Sequence, residues 1–155
     1  MAARVRVTDR DKGYRALMRR VQKAARGRTV KVGLLSGNGG APSGDGDKSL
    51  LDVATFHEFG IGNNPERSFV RAWFDENKNE HKALERKLAE SVVRGQNTVD
   101  SALDKMGLLL SATMQMRIRG GIGEDLAEST IERKGSSTQL VDTGSLVSAI
   151  SHEVE

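Results

Sequence analysis

Two stretches, TVKVGLLS at residues 29–36 and LVSAISHEV at residues 146–154, decide the fold. Each is short and rich in β-branched and apolar residues. Each is bounded by polar or glycine-containing sequence, which is how a strand reads. They stand far apart, and most of the chain between them has helical rather than strand periodicity. Strands towards the two ends with helices between predict an α+β fold and not alternating βαβ units. The expected architecture is a small, mostly antiparallel sheet near 29–36 and 146–154, packed by an N-terminal helix and two longer helices.

Upstream of the first strand, ARVRV at 3–7 alternates and reads as a further short strand. From Asp9 the period changes. Tyr14, Leu17, Met18, Val21 and Ala25 share one helix face, with Arg10, Arg15, Arg19, Arg20, Lys23 and Arg26 largely off it. The spacing predicts a helix over 9–26, stopped at Gly27, with its apolar stripe on the sheet and its basic side outward. Downstream, residues 37–47 (GNGGAPSGDGD) hold five of the seventeen glycines and one of the two prolines, and read as a mobile loop. Ser49 caps a short helix to about Phe59, with Leu50, Val53, Ala54 and either Phe56 or His57 inward. Residues 60–66 form a turn. A long helix is expected over 68–94, its inner side marked by Phe69, Val70, Trp73, Phe74, Leu84, Leu88 and Val92. Its middle, DENKNEHK (75–82), is wholly polar. Another is expected over 98–117, with Val99, Ala102, Leu103, Met106, Leu109, Leu110, Thr113 and Met116 at helical spacing. Gly120 and Gly121 end it. Residues 122–139 are polar and irregular.

At 155 residues the chain has the length of one domain, 1–155, and can bury roughly 70% of its unfolded surface. Hydrophobic residues make up 37%, and the only aromatics are Tyr14, Phe56, Phe59, Phe69, Trp73 and Phe74, so the core rests on aliphatic side chains. The absence of cysteine excludes disulfides, thiolate metal sites and cysteine nucleophiles. No apolar run approaches the roughly 18 residues a membrane span needs. The basic start, MAARVRVTDRDKG, lacks the apolar core of a secretory signal. The net charge of +3 hides an asymmetry. Residues 1–31 hold eleven Lys and Arg against Asp9 and Asp11, a balance of +9; residues 32–155 hold thirteen against nineteen, a balance of -6. Such a split suits an acidic partner, nucleic acid or protein, while a solvated helix face is the plainer reading.

Motifs that resemble chemistry lack their complements. Asp142, Thr143 and Gly144 have the form of an aspartic-protease turn, but too little chain follows to build a flap. They read instead as a structural turn, with Gly144 taking a positive φ. Gly44–Ser49 resembles a phosphate loop, yet Asp47 stands where the lysine of such a loop needs a glycine before it. Asp45 and Asp47 fall short of a calcium loop. His57-Glu58 opens a zincin pattern, but Ile61 occupies the place of the second histidine. No catalytic residue, metal ligand or cofactor-binding residue is assigned, and no enzyme is expected. A helix bearing Arg15, Arg19, Arg20 and Lys23 can touch phosphates, although no reading motif or stacking aromatics accompany it.

Three stretches together resemble a family. VKVGLLSG, with 32–37 at its centre, precedes a Gly-rich insertion. ATFHEFGIGNNPERSFVRAWFDENK (54–78) holds an aromatic-Gly turn followed by Pro-X-Arg-X-Phe-hydrophobic-Arg. TIERKGSSTQLVDTGSLVSAISHEV (130–154) closes the chain. Their order is similar to that of the tail-completion or neck proteins of long-tailed bacteriophages, over roughly residues 29–154. Members of that family often carry proline where Ser68 stands. The resemblance implies a non-enzymatic virion protein that assembles as a homo-oligomeric ring at the head-proximal end of the tail and joins tail to head. Its implied partners are further copies of itself, a connector, tail terminator or tail tube, and packaged DNA nearby. It would be found in the virion, and in the host cytoplasm during assembly. Arg15, Arg19, Arg20, Lys23, Pro65, Arg67 and Phe69 are the expected assembly contacts. Phe69 is also expected to anchor its helix in the core, and Arg67 to bond a nearby carboxylate or carbonyl. A stand-alone basic nucleic-acid-binding protein is the alternative.

Overall fold

The computed structural model describes residues 11–24, 26–35, 37, 40, 49–62, 65–122 and 144–155. Strand β1 (Val30–Leu34) pairs antiparallel with β2 (Ile150–Val154) in the register Val30↔Val154, Val32↔His152, Leu34↔Ile150. Thr29 and Glu155 extend the ladder, each donating its N–H to the other's carbonyl at 3.1 and 3.0 Å. Alternation puts Val30, Val32, Leu34, Ile150, His152 and Val154 on one face, and Lys31 and Glu153 on the other. The fold is therefore α+β, with a small antiparallel sheet packed on helices.

Six helices accompany this sheet among the described residues: α1 (Tyr14–Ala24), α2 (Leu50–Phe59), α3 (Arg71–Glu76), α4 (Lys78–Val93), α5 (Val99–Arg119) and α6 (Ser145–Ala149). Helix α5 is the axle of the fold and touches both strands as well as α1, α4 and α6. Thr98 caps it, accepting from Ser101 N–H at 3.1 Å. The sheet crosses α5 so closely that a Cβ on Gly107 would stand 2.4 Å from His152 Cδ2. Ser111, one turn on, is also small and buried, and its hydroxyl donates to the Gly107 carbonyl. The main core joins Ala54, Phe69, Trp73, Met114, Ile118 and Ile150, with Leu146 and Val147 of α6. A second cluster, Val92, Val99 and Ala102 with Leu88 and Leu103, closes the α4–α5 hairpin.

Several expectations are corrected. The helix over 68–94 is two helices. Asn77, at φ -102° and ψ 17°, turns its Nδ2 back to the Trp73 carbonyl at 2.8 Å and stops α3 there. Asparagine competes for backbone partners in this way, which interrupts helices. The strand over 146–154 is half helix. Gly144, at φ 75°, starts one helical turn that buries Leu146, Val147 and Ala149 together, where alternation in a strand could not. The first strand is trimmed to 30–34, and the helix expected over 98–117 runs on to Arg119. Helix α1 has no buried residue, and its packing partners include the α4–α5 hairpin, in place of the sheet expected for its stripe. Tyr14 and Val21 remain 68% and 43% exposed. On α5, Leu109 and Met116, two of the apolar residues at helical spacing, are 49% and 58% exposed. The strand expected at 3–7, the loop at 37–47 apart from Gly37 and Gly40, and Asp142 and Thr143 lie outside the described residues.

Candidate assembly surface

The turn at 65–71 is organised by one carboxylate. Helix α2 begins with a capping box, in which Asp52 N–H donates to Ser49 Oγ and Ser49 N–H to Asp52 Oδ2. It ends by carrying Glu58 into the interior, 5% exposed. Glu58 Oε2 accepts the backbone N–H of Phe69 (2.8 Å) and Val70 (2.9 Å). Its Oε1 accepts the Ser68 hydroxyl (2.8 Å), Arg71 N–H (3.0 Å) and Arg71 Nε (3.0 Å). Val70 offers α3 no side-chain cap, so a glutamate twelve residues away supplies it. Ser68 completes the turn by accepting from Ala72 N–H at 3.1 Å. Burial alone would push the Glu58 carboxyl up. The N–H groups of Val70 and Arg71, with Ser68 and the Arg71 guanidinium, outweigh it and hold the carboxyl below its ordinary range. Arg71 also donates to the Glu58 carbonyl (2.7 Å) and Glu66 Oε1 (2.8 Å), and its guanidinium lies 4.6 Å over the Phe59 ring.

This assigns the expected residues differently. Arg67 was expected to bond a nearby carboxylate or carbonyl; the arginine that bonds both the carboxylate and the carbonyl of Glu58 is Arg71. Arg67 is 8% exposed, its Nε is buried without a partner, and its backbone N–H donates to the His57 carbonyl at 2.7 Å. Phe69 is 1% exposed and belongs to the core, so it presents no surface for assembly. Pro65 is exposed beside Glu66. Glu58 entered the sequence reading only as half of a metal motif. A signal for its cap role is faint, because a capping carboxylate twelve residues upstream follows no fixed spacing.

The four basic residues of α1 separate into two pairs. Arg20 Nη1 donates to the Val93 carbonyl at 3.1 Å, at the C-terminal end of α4, where the helix dipole favours a cation. Lys23 Nζ stands 3.1 Å, and Arg28 Nη2 2.9 Å, from the carboxylate of Asp100 in the first turn of α5. Lys23 and Arg28 hold that carboxyl below its ordinary range. Both ties bind α1 to the α4–α5 hairpin. Arg15 and Arg19 stay exposed, Arg15 with only a 3.9 Å ion pair to Asp11. Of the expected basic surface, half serves the fold.

Apolar side chains also stand outward. Leu108 (60% exposed), Leu109 and Met116 run along the open side of α5. An opening of about 470 Å3 lies between β1 and α3 over α5. Its lining includes Val30, Val32, Trp73, Phe74 and Leu110. His81 borders it, 4.6 Å from the Trp73 ring centroid, and burial pushes its imidazole towards the neutral form. Among the described residues no three His, Asp or Glu side chains stand together to hold a metal ion, and no helix is long and apolar enough to cross a membrane. Comparisons of the chain with protein-family models, curated proteins and solved structures give no match.

Proposed function

We propose that the protein is a non-enzymatic structural subunit of a long-tailed bacteriophage neck. It assembles as a homo-oligomeric ring at the head-proximal end of the tail and serves tail completion and head–tail joining. The observation that carries this reading is that the three stretches bearing the family resemblance meet in one core. Val32 and Leu34 come from the first, Ala54, Phe69 and Trp73 from the second, and Leu146, Val147 and Ile150 from the third. Residues that resemble a family in order along the chain are here the residues that build the domain. The exposed apolar side of α5 adds support, because contiguous apolar surface on a small domain marks an interaction face. In this reading the ring contacts a connector, tail terminator or tail tube close to packaged DNA, and the protein passes from host cytoplasm into the virion. Electron micrographs of particles made without the protein test it. Full heads beside unattached tails are expected, and intact joined virions would refute the role.

A further inference from the structure

Arg67 is a buried cation without a partner. The residue is 8% exposed, and its Nε is sealed from solvent with no hydrogen bond. Nη1 and Nη2 also make no hydrogen bond or ion pair among the described residues. Neither is sealed in as Nε is, so both open to the surface. Neighbouring Arg71 shows the reverse arrangement. Its side chain is 51% exposed, yet it takes the carboxylates of both Glu58 and Glu66, and the Glu58 carbonyl as well. The acids of this turn therefore serve the more exposed of its two arginines. Taking a guanidinium out of water is costly, and a buried charge is ordinarily paired. A planar fork of N–H donors, enclosed at its base and open at its tip, has the form of a receptor for a carboxylate.

The backbone holds this fork in place. Arg67 N–H donates to the His57 carbonyl of α2 at 2.7 Å. Glu58 fixes the residues that follow, accepting the N–H groups of Phe69, Val70 and Arg71, and the Phe69 ring anchors the turn in the core. A side chain so enclosed has little freedom left to lose when an anion arrives. We propose that Arg67 receives a carboxylate side chain from a second copy of this chain, held by two N–H···O bonds to the guanidinium. The copy has such groups to offer: among the described residues Asp75, Glu80, Glu85 and Glu153 are exposed and carry no ion pair. The charges of Glu58, Glu66, Arg67 and Arg71 sum to zero, so the turn is no basic patch for a duplex, whose binding rests on neutralising several phosphates. It presents one directed fork, which suits one side chain on a folded surface. The inference deepens the ring reading and rests on it for the second copy.

The test uses purified full-length protein without other virion components. Sedimentation velocity reads self-association, and thermal unfolding at a concentration where the parent is monomeric reads the fold. Arg67→Met removes the unpaired charge and keeps a flexible stem of similar length. Melting of the monomer should hold or rise, while self-association weakens at least about tenfold. Arg67→Lys keeps the charge without the fork and should weaken association too. Of Asp75→Asn, Glu80→Gln, Glu85→Gln and Glu153→Gln, one should weaken association of the parent and have no further effect on Arg67→Met or Arg67→Lys, the coupling that a direct pair shows. These four lie on the exposed surface and serve if Arg67→Met fails to fold. Three results overturn the proposal: association unchanged in both Arg67 variants, no carboxylate variant coupled to Arg67, or loss of duplex DNA binding with association intact, which would assign a phosphate to the fork. A parent that stays monomeric fails the ring reading and this inference together. A parent that assembles no better than its Arg67 variants fails this inference alone.

Discussion

Removing the Glu58 carboxylate should cost a large share of the protein's stability. In Glu58→Ala, five donors lose their acceptor. The Ser68 hydroxyl and the Arg71 guanidinium reach partly exposed positions and can turn to water. The N–H groups of Phe69 and Val70 are fixed by the chain and sit at the edge of the core. A hydrogen bond to a charged acceptor contributes about 1.5–3 kcal/mol, so two such bonds give about 3–6 kcal/mol. Relief of the carboxylate's own desolvation returns part of that, and a net loss of about 3–5 kcal/mol is expected, in line with the breaking of buried charge pairs. For a chain of this size that is roughly 6–20 °C in Tm. Glu58→Gln tests the same geometry more finely. The amide keeps one oxygen, and its NH2 must face either Phe69 and Val70 or the Ser68–Arg71 group, donor against donor. At least about 2 kcal/mol should be lost. Urea unfolding followed by circular dichroism measures both, with the slope unchanged if the folded state stays intact.

The same carboxylate sets an acid limb. Its folded pKa lies below the unfolded value of about 4.3, so in that window the unfolded chain binds more protons and stability rises with pH. The contribution is complete above the unfolded pKa and is lost as pH falls through the folded one. Glu58→Gln should flatten that limb. A Glu58→Ala protein within about 1 kcal/mol of the parent, or a Gln variant with the parent's acid limb, would refute the capping account.

Phe69→Ala removes a ring that is 1% exposed and should cost about 3–5 kcal/mol in chemical denaturation; an unchanged midpoint would remove Phe69 from the core. Gly107→Ala should destabilise by about 1–3 kcal/mol, although alanine favours a helix interior, because its Cβ meets His152 Cδ2 at 2.4 Å and His152 Cβ at 2.8 Å. A stabilised Gly107→Ala protein would mean that β2 does not lie so close to α5. Reversing Arg15 and Arg19 to Glu should leave thermal unfolding nearly unchanged. Adding Arg20→Glu and Lys23→Glu should loosen α1, since Lys23→Glu sets a second negative charge beside Asp100. Equal melting of the double and quadruple variants would show that those ties do not hold the helix.

The antiparallel pairing of the two described strands was legible because strand composition is local: Val30, Val32, Ile150 and Val154 announce themselves within a few residues. The division of 68–94 was less so, because the polar run 75–82 reads as an exposed helix surface, and one asparagine among many polar residues sets the break. The inner face of α5 was not legible for a different reason. From Val99 to Ile118 that helix carries apolar residues on nearly every side, so periodicity cannot choose the inner one. The choice falls to Gly107, whose missing side chain lets β2 approach. Close approach outweighs side-chain size at Gly107, where the helix meets His152 of β2, while Leu108, Leu109 and Met116 stay exposed.

The basic N-terminal helix shows why a charge count is weaker evidence than a charge's partner. Arg15, Arg19, Arg20 and Lys23 look alike in sequence and read together as a surface for DNA or an acidic neighbour. In the fold, Arg20 meets a helix C-terminal carbonyl, and Lys23 meets Asp100 at a helix N-terminal turn. Both partners arise where α4 ends and α5 begins, two elements that have no buried counterpart on α1. A helix whose apolar stripe is only half covered is held at its polar ends instead. The asymmetry of +9 against -6 is thus partly an internal matter, the basic segment clasping the rest of its own chain. Among the described residues, Arg15 and Arg19 on α1 and the apolar side of α5 are what stays exposed. Those two surfaces differ from one another in chemistry, one cationic and one apolar.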